Sequence, residues 1–276
     1  MNVLHVASEV APFSKTGGLG DVLAALPKAL AQHGASRVTV VSARYGSVDT
    51  ERHGLAKRLR KLNVTVGGQN FEVGLFEGRL PGPGPVVTVY LIDHPLFSER
   101  PGVYGPPENP GQGYPDNPLR FALLSQAAIA LGRELTPRPD VIHAHDWQAG
   151  LAVYFAQQAD WETPPATVFT VHNLMFQGLF PLGEAQKLGV RPELLTPDGI
   201  EFYGQASFIK AGLQLADRLT TVSPRYAQEI CTPEFGYGLD GVMQARRGRL
   251  TGILNGVDYD RWSPWLAGAL PARYGK

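Results

Sequence analysis

Asn2-Val3-Leu4-His5-Val6-Ala7-Ser8-Glu9-Val10-Ala11-Pro12-Phe13-Ser14-Lys15-Thr16-Gly17-Gly18-Leu19-Gly20-Asp21 is the stretch from which the fold is read. Val3 to Ala7 is a short apolar run and reads as a buried strand. From Asp21 to His33 the apolar residues recur at helical spacing. Lys15 to Asp21 joins the two through glycines. A strand that feeds a helix through a glycine-rich turn opens a βαβ unit.

The same alternation continues along the chain. Arg37 to Val41, Val86 to Ile92, Val141 to His145, Thr167 to Val171, Leu219 to Val222 and Leu250 to Leu254 read as further strands. Leu119 to Leu135, Gln148 to Gln158, Ser207 to Ala216 and Pro224 to Ile230 read as helices. The expected fold class is therefore α/β, a Rossmann-like, doubly wound and mostly parallel sheet. Leu62 to Phe76 breaks the rhythm, because two alternating runs flank Gly67-Gly68. That pattern predicts a hairpin at the sheet edge. Pro95 to Pro118 carries prolines, glycines, Tyr104 and Tyr114 without periodicity, and reads as a long loop of the kind that binds ligands. Residues 1–256 are expected to form one domain, and 257–276 a linker.

Composition narrows the function classes. The chain has 276 residues, enough for a sizeable core, and 25 basic side chains balance 25 acidic ones. Nothing in that balance argues for nucleic acid or an anionic membrane as partner. Cys231 is the single cysteine, so no internal disulfide forms, as in a reducing compartment. No basic leader and no long apolar run opens the chain, and a soluble cytoplasmic protein is the expectation.

Four strand ends hold residues suited to chemistry. Gly17 and Gly18 let a backbone approach a ligand, helix N-terminal N–H groups attract anions, and Lys15 adds a positive charge. This describes a phosphate or sugar-phosphate loop. The plain alternative is a glycine turn with a solvated lysine. The loop matches neither the Gly-x-Gly-x-x-Gly fingerprint nor the P-loop. At His143-Ala144-His145-Asp146-Trp147 two histidines share one face of a strand. They read as a metal pair or as buried rings bonded to nearby loops, with Asp146 as a polar sugar contact. Thr170-Val171-His172-Asn173 offers hydrogen bonds to sugar hydroxyls or to developing charge, or is a plain turn. Asn255-Gly256 follows the last strand, a turn by default and a ligand edge by position. Asp258-Tyr259-Asp260 nominally matches an Asp-x-Asp metal motif, but falls in the expected linker.

Ser8 to Val22 resembles the signature of glycogen and starch synthases. Further blocks resemble that family in the same order. They are Arg100-Pro101-Gly102 with Tyr104, Asp116-Asn117 with Arg120-Phe121, and His143 to Trp147 with Ala149-Gly150-Leu151. Thr170 to Asn173 with Gln177-Gly178 follows, and then Gly204 to Ser207, Lys210-Ala211-Gly212 and Ser223-Pro224. Gly252 to Asp258 with Trp262-Ser263-Pro264 comes last. The resemblance covers essentially the whole chain.

It implies the N-terminal domain of a GT-B glycosyltransferase, whose second domain is absent here. It implies retaining transfer of glucose from ADP-glucose to the non-reducing 4-hydroxyl of an α-1,4-glucan such as glycogen, with no required metal or other cofactor. Lys15 and Thr16, with Gly17 and Gly18, are then expected at the sugar nucleotide. Asp21, Tyr104, Asp146, Trp147, His172, Asn173 and Asn255 are expected to line the cleft, with His172 and Asp146 as the catalytic candidates. Gly20 stands where alanine is frequent in the family, a change expected to lower helix propensity and leave chemistry alone. The missing domain carries the charges that neutralise the leaving diphosphate. A stand-alone glucan- or sugar-binding half-domain is the competing expectation. A nicotinamide enzyme is disfavoured by the loop pattern.

Overall fold

The computed structural model describes residues 1–256. The expected linker 257–276, with Asp258-Tyr259-Asp260 and Trp262-Ser263-Pro264, lies outside the described residues. Seven parallel strands make the centre: β1 (Asn2–Val6), β2 (Arg37–Ala43), β3 (Thr88–Asp93), β4 (Val141–His145), β5 (Ala166–Val171), β6 (Arg218–Thr221) and β7 (Leu250–Gly252). Their order across the sheet is β3-β2-β1-β4-β5-β6-β7. Chain order reverses beside β1, which pairs with β2 on one side and β4 on the other. Open α/β sheets bind ligands beyond the strand C-termini at such a switch point.

Burial follows from position. Every residue of β2 after Arg37 is buried, as expected of a parallel strand covered on both faces. The edge strand Leu62–Val66 alternates buried and exposed residues. It forms the expected hairpin with Gln69–Arg79, which joins β3 antiparallel and pairs with Ala56–Lys57.

The first helix, Gly18–Gln32, begins three residues before the expected Asp21. The others lie close to expectation, at Asn117–Glu134, Gly150–Gln158, Phe208–Leu215 and Pro224–Glu229. Ser207 and Ser223 cap two of them, their hydroxyls accepting from the Lys210 and Tyr226 backbone N–H groups at 3.3 and 2.9 Å.

One expectation needs correction, and one feature was unread. Pro95 to Pro118 is not a structureless loop. It contains a helical turn at Pro95–Ser98, capped by the His94 ring, and a 3-10 turn at Pro110–Gln112. Arg120, with no exposed surface, donates to the Leu96 and Val103 carbonyls at 2.8 and 3.1 Å and so fixes this segment from beneath. The Tyr114 ring packs under Arg100 and Arg120. Gln205–Ser207, flanked by Glu201–Phe202 and Leu179–Pro181, makes a small antiparallel sheet that periodicity did not reveal. Strands of two or three residues are too short for a period to register. No helix among the described residues is long and apolar enough to cross a membrane.

Candidate active site

The loop after β1 is built from below by a buried carboxylate. Glu9, 2% exposed, accepts from the Thr16 and Gly17 backbone N–H groups at 2.5 and 3.1 Å and from the Thr16 hydroxyl at 2.7 Å. The Tyr104 hydroxyl donates to Glu9 and lies 2.9 Å from the Ser8 hydroxyl. Burial and the Glu9 charge hold that phenol well above its usual range. Tyr104 therefore faces the underside of the loop. Its polar end is spent on positioning Glu9.

Glu9 occupies the Thr16 and Gly17 donors, which leaves the first turn of the helix, from Gly18 on, for an anion. A side chain added at Gly17 or Gly18 would meet nothing within 4 Å, so the space above them is open. Lys15 is exposed at this rim, and its Nζ lies 2.6 Å from an Asp21 carboxylate oxygen. The two expected ligand groups are thus partners of each other.

Across the switch point, Asp146 follows β4 with φ 56° and ψ −178°. That conformation is nearly reserved for glycine and costs about 1–3 kcal/mol when another residue holds it. The surroundings hold it in place. The Asp146 backbone N–H donates to the Thr170 carbonyl at 2.9 Å, and its carboxylate accepts from the His172 backbone N–H at 2.7 Å. Burial pushes the carboxyl up to about 7, against the pull of the His172 and Asn173 backbone N–H groups. Asp146 thus ties the end of β4 to the end of β5. Asn173 is exposed, and its side-chain oxygen accepts from the Met175 backbone N–H at 3.0 Å.

His172 stands at the outer end of a set of imidazoles that sequence reading only half disclosed. His5 and His143 are directly opposite each other in the β1–β4 register, and His145 is on the same face. Burial lowers His5 to about 3 and His172 to about 4, and holds His143 and His145 well below the usual imidazole range. The rings are therefore neutral at pH 7. His5, His143 and His145 each offer a nitrogen, all within 4.8 Å of one another. A metal would need in-plane lone pairs converging on one point. Here the His143 and His145 rings stack, with centroids 4.2 Å apart and planes 26° apart, so their nitrogens run side by side. The His143 Nε2 is also engaged, 2.6 Å from the Thr170 hydroxyl.

Trp147 packs edge-on against Phe121 at 5.0 Å and tilts towards Phe180 at 5.7 Å. Gly178, at φ 61°, passes so close that an added Cβ would sit 2.5 Å from the indole. Beside Trp147 opens a cavity of about 490 Å³ whose lining includes Met175, Phe176, Gln177, Leu179 and Tyr237. Met175, Phe176, Leu179 and Tyr237 are all exposed. Asn255 is exposed after β7, an edge strand four places from β1 in the sheet. Sequence reading missed the roles of Glu9 and His5. Their signal is a polar residue inside an otherwise apolar stretch.

A family model described as the starch synthase catalytic domain matches residues 2–245. The chain belongs to this family. It is 46% identical over 279 residues to a glycogen synthase from Anaeromyxobacter dehalogenans (strain 2CP-C), covering 99% of this chain and 56% of that protein. It is 47% identical over 268 residues to a glycogen synthase from Paramagnetospirillum magneticum, covering 96% and 53%. Among solved structures it is similar to the catalytic domain of starch synthase IV from Arabidopsis thaliana bound to ADP and acarbose. There the TM-score is 0.85 at 30% identity, over 99% of this chain and 55% of that one. The chain spans about half the length of the curated relatives it matches. The Rossmann-like fold class expected of a GT-B N-terminal domain is the one observed.

Proposed function

We propose that the chain forms the N-terminal wall of a retaining glucosyltransferase, which moves glucose from ADP-glucose to the non-reducing 4-hydroxyl of an α-1,4-glucan. The observation that carries this reading is the convergence at one switch point of the Glu9-braced glycine loop and the Asp146-braced His172-Asn173 turn. Family membership supplies the reaction class, and the similar starch synthase holds ADP and acarbose.

In this reading the open backbone at Gly17 and Gly18 admits the sugar nucleotide, with Thr16 at the rim. The helix N-terminus and Lys15 face its diphosphate. Lys15 reaches the diphosphate by exchanging Asp21 for it. His172 and Asn173 meet the transferred glucose through hydrogen bonds, and Asp146 holds their backbone in place. The aromatic cavity beside Trp147 takes the glucan, since apolar ring faces suit the flat faces of sugars. Asn255 lines the far end of the cleft. Charge on the departing diphosphate is met by basic groups of a second domain facing this wall, and the wall requires no metal or other cofactor.

The chain alone is therefore expected to fold without synthesising glucan. Purified chain incubated with ADP-glucose and glycogen should release no ADP, whereas a two-domain protein carrying it should. Sustained ADP release by the chain alone would overturn the one-wall reading. The exposed aromatic cavity also supports a second reading, a stand-alone glucan-binding half. Retention of the chain on immobilised glycogen, with no transfer after the second half is restored, would favour that one.

A further inference from the structure

Three imidazoles form a line from the core to the edge of the sheet. The His5 Nδ1 lies 3.0 Å from the His145 Nε2, and the His145 Nδ1 lies 3.1 Å from the His172 Nε2. His5 and His145 have no exposed surface. At the inner end the His5 Nε2 is buried without a partner. At the outer end the His172 Nδ1 makes no hydrogen bond among the described residues and is not one of the buried unpartnered atoms, so it opens to the site.

A neutral imidazole has one N–H and one lone pair. Two hydrogen bonds in series therefore admit only two proton arrangements. In the first, every ring carries its proton on Nδ1. His5 donates to His145, His145 donates to His172, and His172 has an N–H to offer outward. In the second, every ring is protonated on Nε2, the bonds run inward, and His172 offers a lone pair. The two differ at the buried end. The inward arrangement strands a bare N–H of His5 in the core, whereas the outward one leaves a bare lone pair. Orphaned buried N–H groups are the rarer defect.

We infer that His5 and His145 are positioning residues that hold His172 as the Nδ1–H tautomer, so that it presents a hydrogen-bond donor to a sugar oxygen. The sugar contact rests on the proposed function, but the tautomer does not. Burial supports the assignment by keeping all three rings neutral. A histidine's working nitrogen is ordinarily set by the bond its other nitrogen makes, and here that bond comes from a second histidine with a third behind it. His143 stands outside the line. It stacks on His145 and fixes the plane of the middle ring.

The test is long-range 1H–15N correlation NMR on the 276-residue chain labelled at histidine. It separates protonated from bare ring nitrogens, and His172→Gln assigns the signal. The expected result is His172 protonated on Nδ1 in the native chain and a switch to Nε2–H in His5→Asp, whose ionised carboxylate stands in place of the Nδ1 donor and can only accept from the His145 Nε2. An Nε2-protonated His172 in the native chain overturns the inference, as does an unchanged tautomer in folded His5→Asp. If His5→Asp does not fold, His5→Asn serves, because its amide N–H replaces the Nδ1 donor. His172 should then stay Nδ1-protonated, and a switch to Nε2–H overturns the inference equally. In a two-domain protein carrying the chain, His5→Asp should lower kcat about tenfold, the worth of one ordinary hydrogen bond, with KM for ADP-glucose nearly unchanged. Full activity of His172→Gln would remove the sugar contact from the proposed function and leave the tautomer assignment standing.

Discussion

Lys15, Thr16, Gly17 and Gly18 are exposed, whereas His5 and His145, on β1 and its neighbour β4, have no exposed surface. Both regions lie at the same switch point. The loop keeps its outer face open, and the Glu9 carboxylate braces it from beneath. The histidine region is the reverse, with its nitrogens engaged in series and its outer turn fixed by a strained Asp146. A surface that must admit an anionic ligand is left soft, with an exchangeable ion pair. A surface that must present one atom in one orientation is held from the core outward. If this contrast is sound, acid and deletion should damage the histidine region through stability, and charge removal should damage the loop through binding.

Acid should produce the largest effect. Unfolded histidines take protons near pH 6.5. In the folded chain His5 waits until about 3 and His172 until about 4, and His143 and His145 lie well below the usual range. These depressed values give stability that is fully present above about pH 6.5 and is lost as pH falls towards 4. Asp146 acts the other way. Its carboxyl is raised to about 7, so its contribution is fully present below about pH 4 and fades as pH rises through 7. Four rings outweigh one carboxyl, and the net result is acid lability. The Tm of the chain should fall steeply between about pH 7 and about pH 5, and His5→Leu should flatten that slope. A Tm that holds steady into acid would mean that the rings are not the buried neutral groups described.

Asp146→Ala should come next. It removes the acceptor of the His172 and Asn173 backbone N–H groups, at about 1–3 kcal/mol for each that is left buried and unsatisfied. Asp146→Gly should cost less than Asp146→Ala, because glycine relieves the φ 56° strain that alanine keeps. Urea unfolding of the two variants measures the difference. Equal losses would show that Asp146 carries no strain.

These two effects also mark how far the sequence was legible. β4 runs from Val141 to His145 as read, and the other parallel strands end within two residues of expectation. Apolar runs and glycine punctuation are local signals, so they survive without a structure. The histidine line is not local, since His5 and His145 are 140 residues apart in sequence. Only the β1–β4 register brings them together, and periodicity says which face a residue takes but not which strand lies beside it. Glu9 was visible within the family-like opening, yet its partners Thr16, Gly17 and Tyr104 could not be read from spacing. Lys15 was read as a free charge, and the structure pairs it with Asp21.

That pairing sharpens the third prediction. In a two-domain protein carrying this chain, Lys15→Gln should weaken use of ADP-glucose by about ten- to a hundredfold, the loss of one charge-assisted hydrogen bond of about 1.5–3 kcal/mol. The substitution also leaves Asp21 facing an anionic ligand, which adds to the loss. Glycogen affinity should barely change, because glucan carries no charge for Lys15 to meet. Kinetics with each substrate varied in turn separates the two. Wild-type kinetics for ADP-glucose would reduce Lys15 to a surface ion pair worth at most about 1 kcal/mol.

The smallest effect belongs to Gly20→Ala, and it tests how soft the loop is. Gly20 lies in the first turn of the helix, where alanine should stabilise by up to about 1 kcal/mol through helix propensity and a less free unfolded chain. Against that gain, a Cβ at this position would lie 3.1 Å from the Lys15 Cβ and Cγ and 3.2 Å from the Ser14 carbonyl oxygen. The lysine stem can move by a few tenths of an ångström, but the Ser14 carbonyl is backbone and yields less readily. The gain should therefore shrink to about half a kcal/mol or less, within the range of ordinary surface substitutions. The expectation that residue 20 leaves chemistry alone changes too, because Gly20 packs directly under the lysine proposed to meet the diphosphate. Gly20→Ala should narrow the conformations open to Lys15 and shift KM for ADP-glucose by no more than about threefold, with kcat unchanged, since the histidine region is untouched. Thermal unfolding and steady-state kinetics read the two effects separately. A loss in ADP-glucose use as large as that of Lys15→Gln would mean that the loop is packed as tightly as the histidine region, and the contrast between the two would fail.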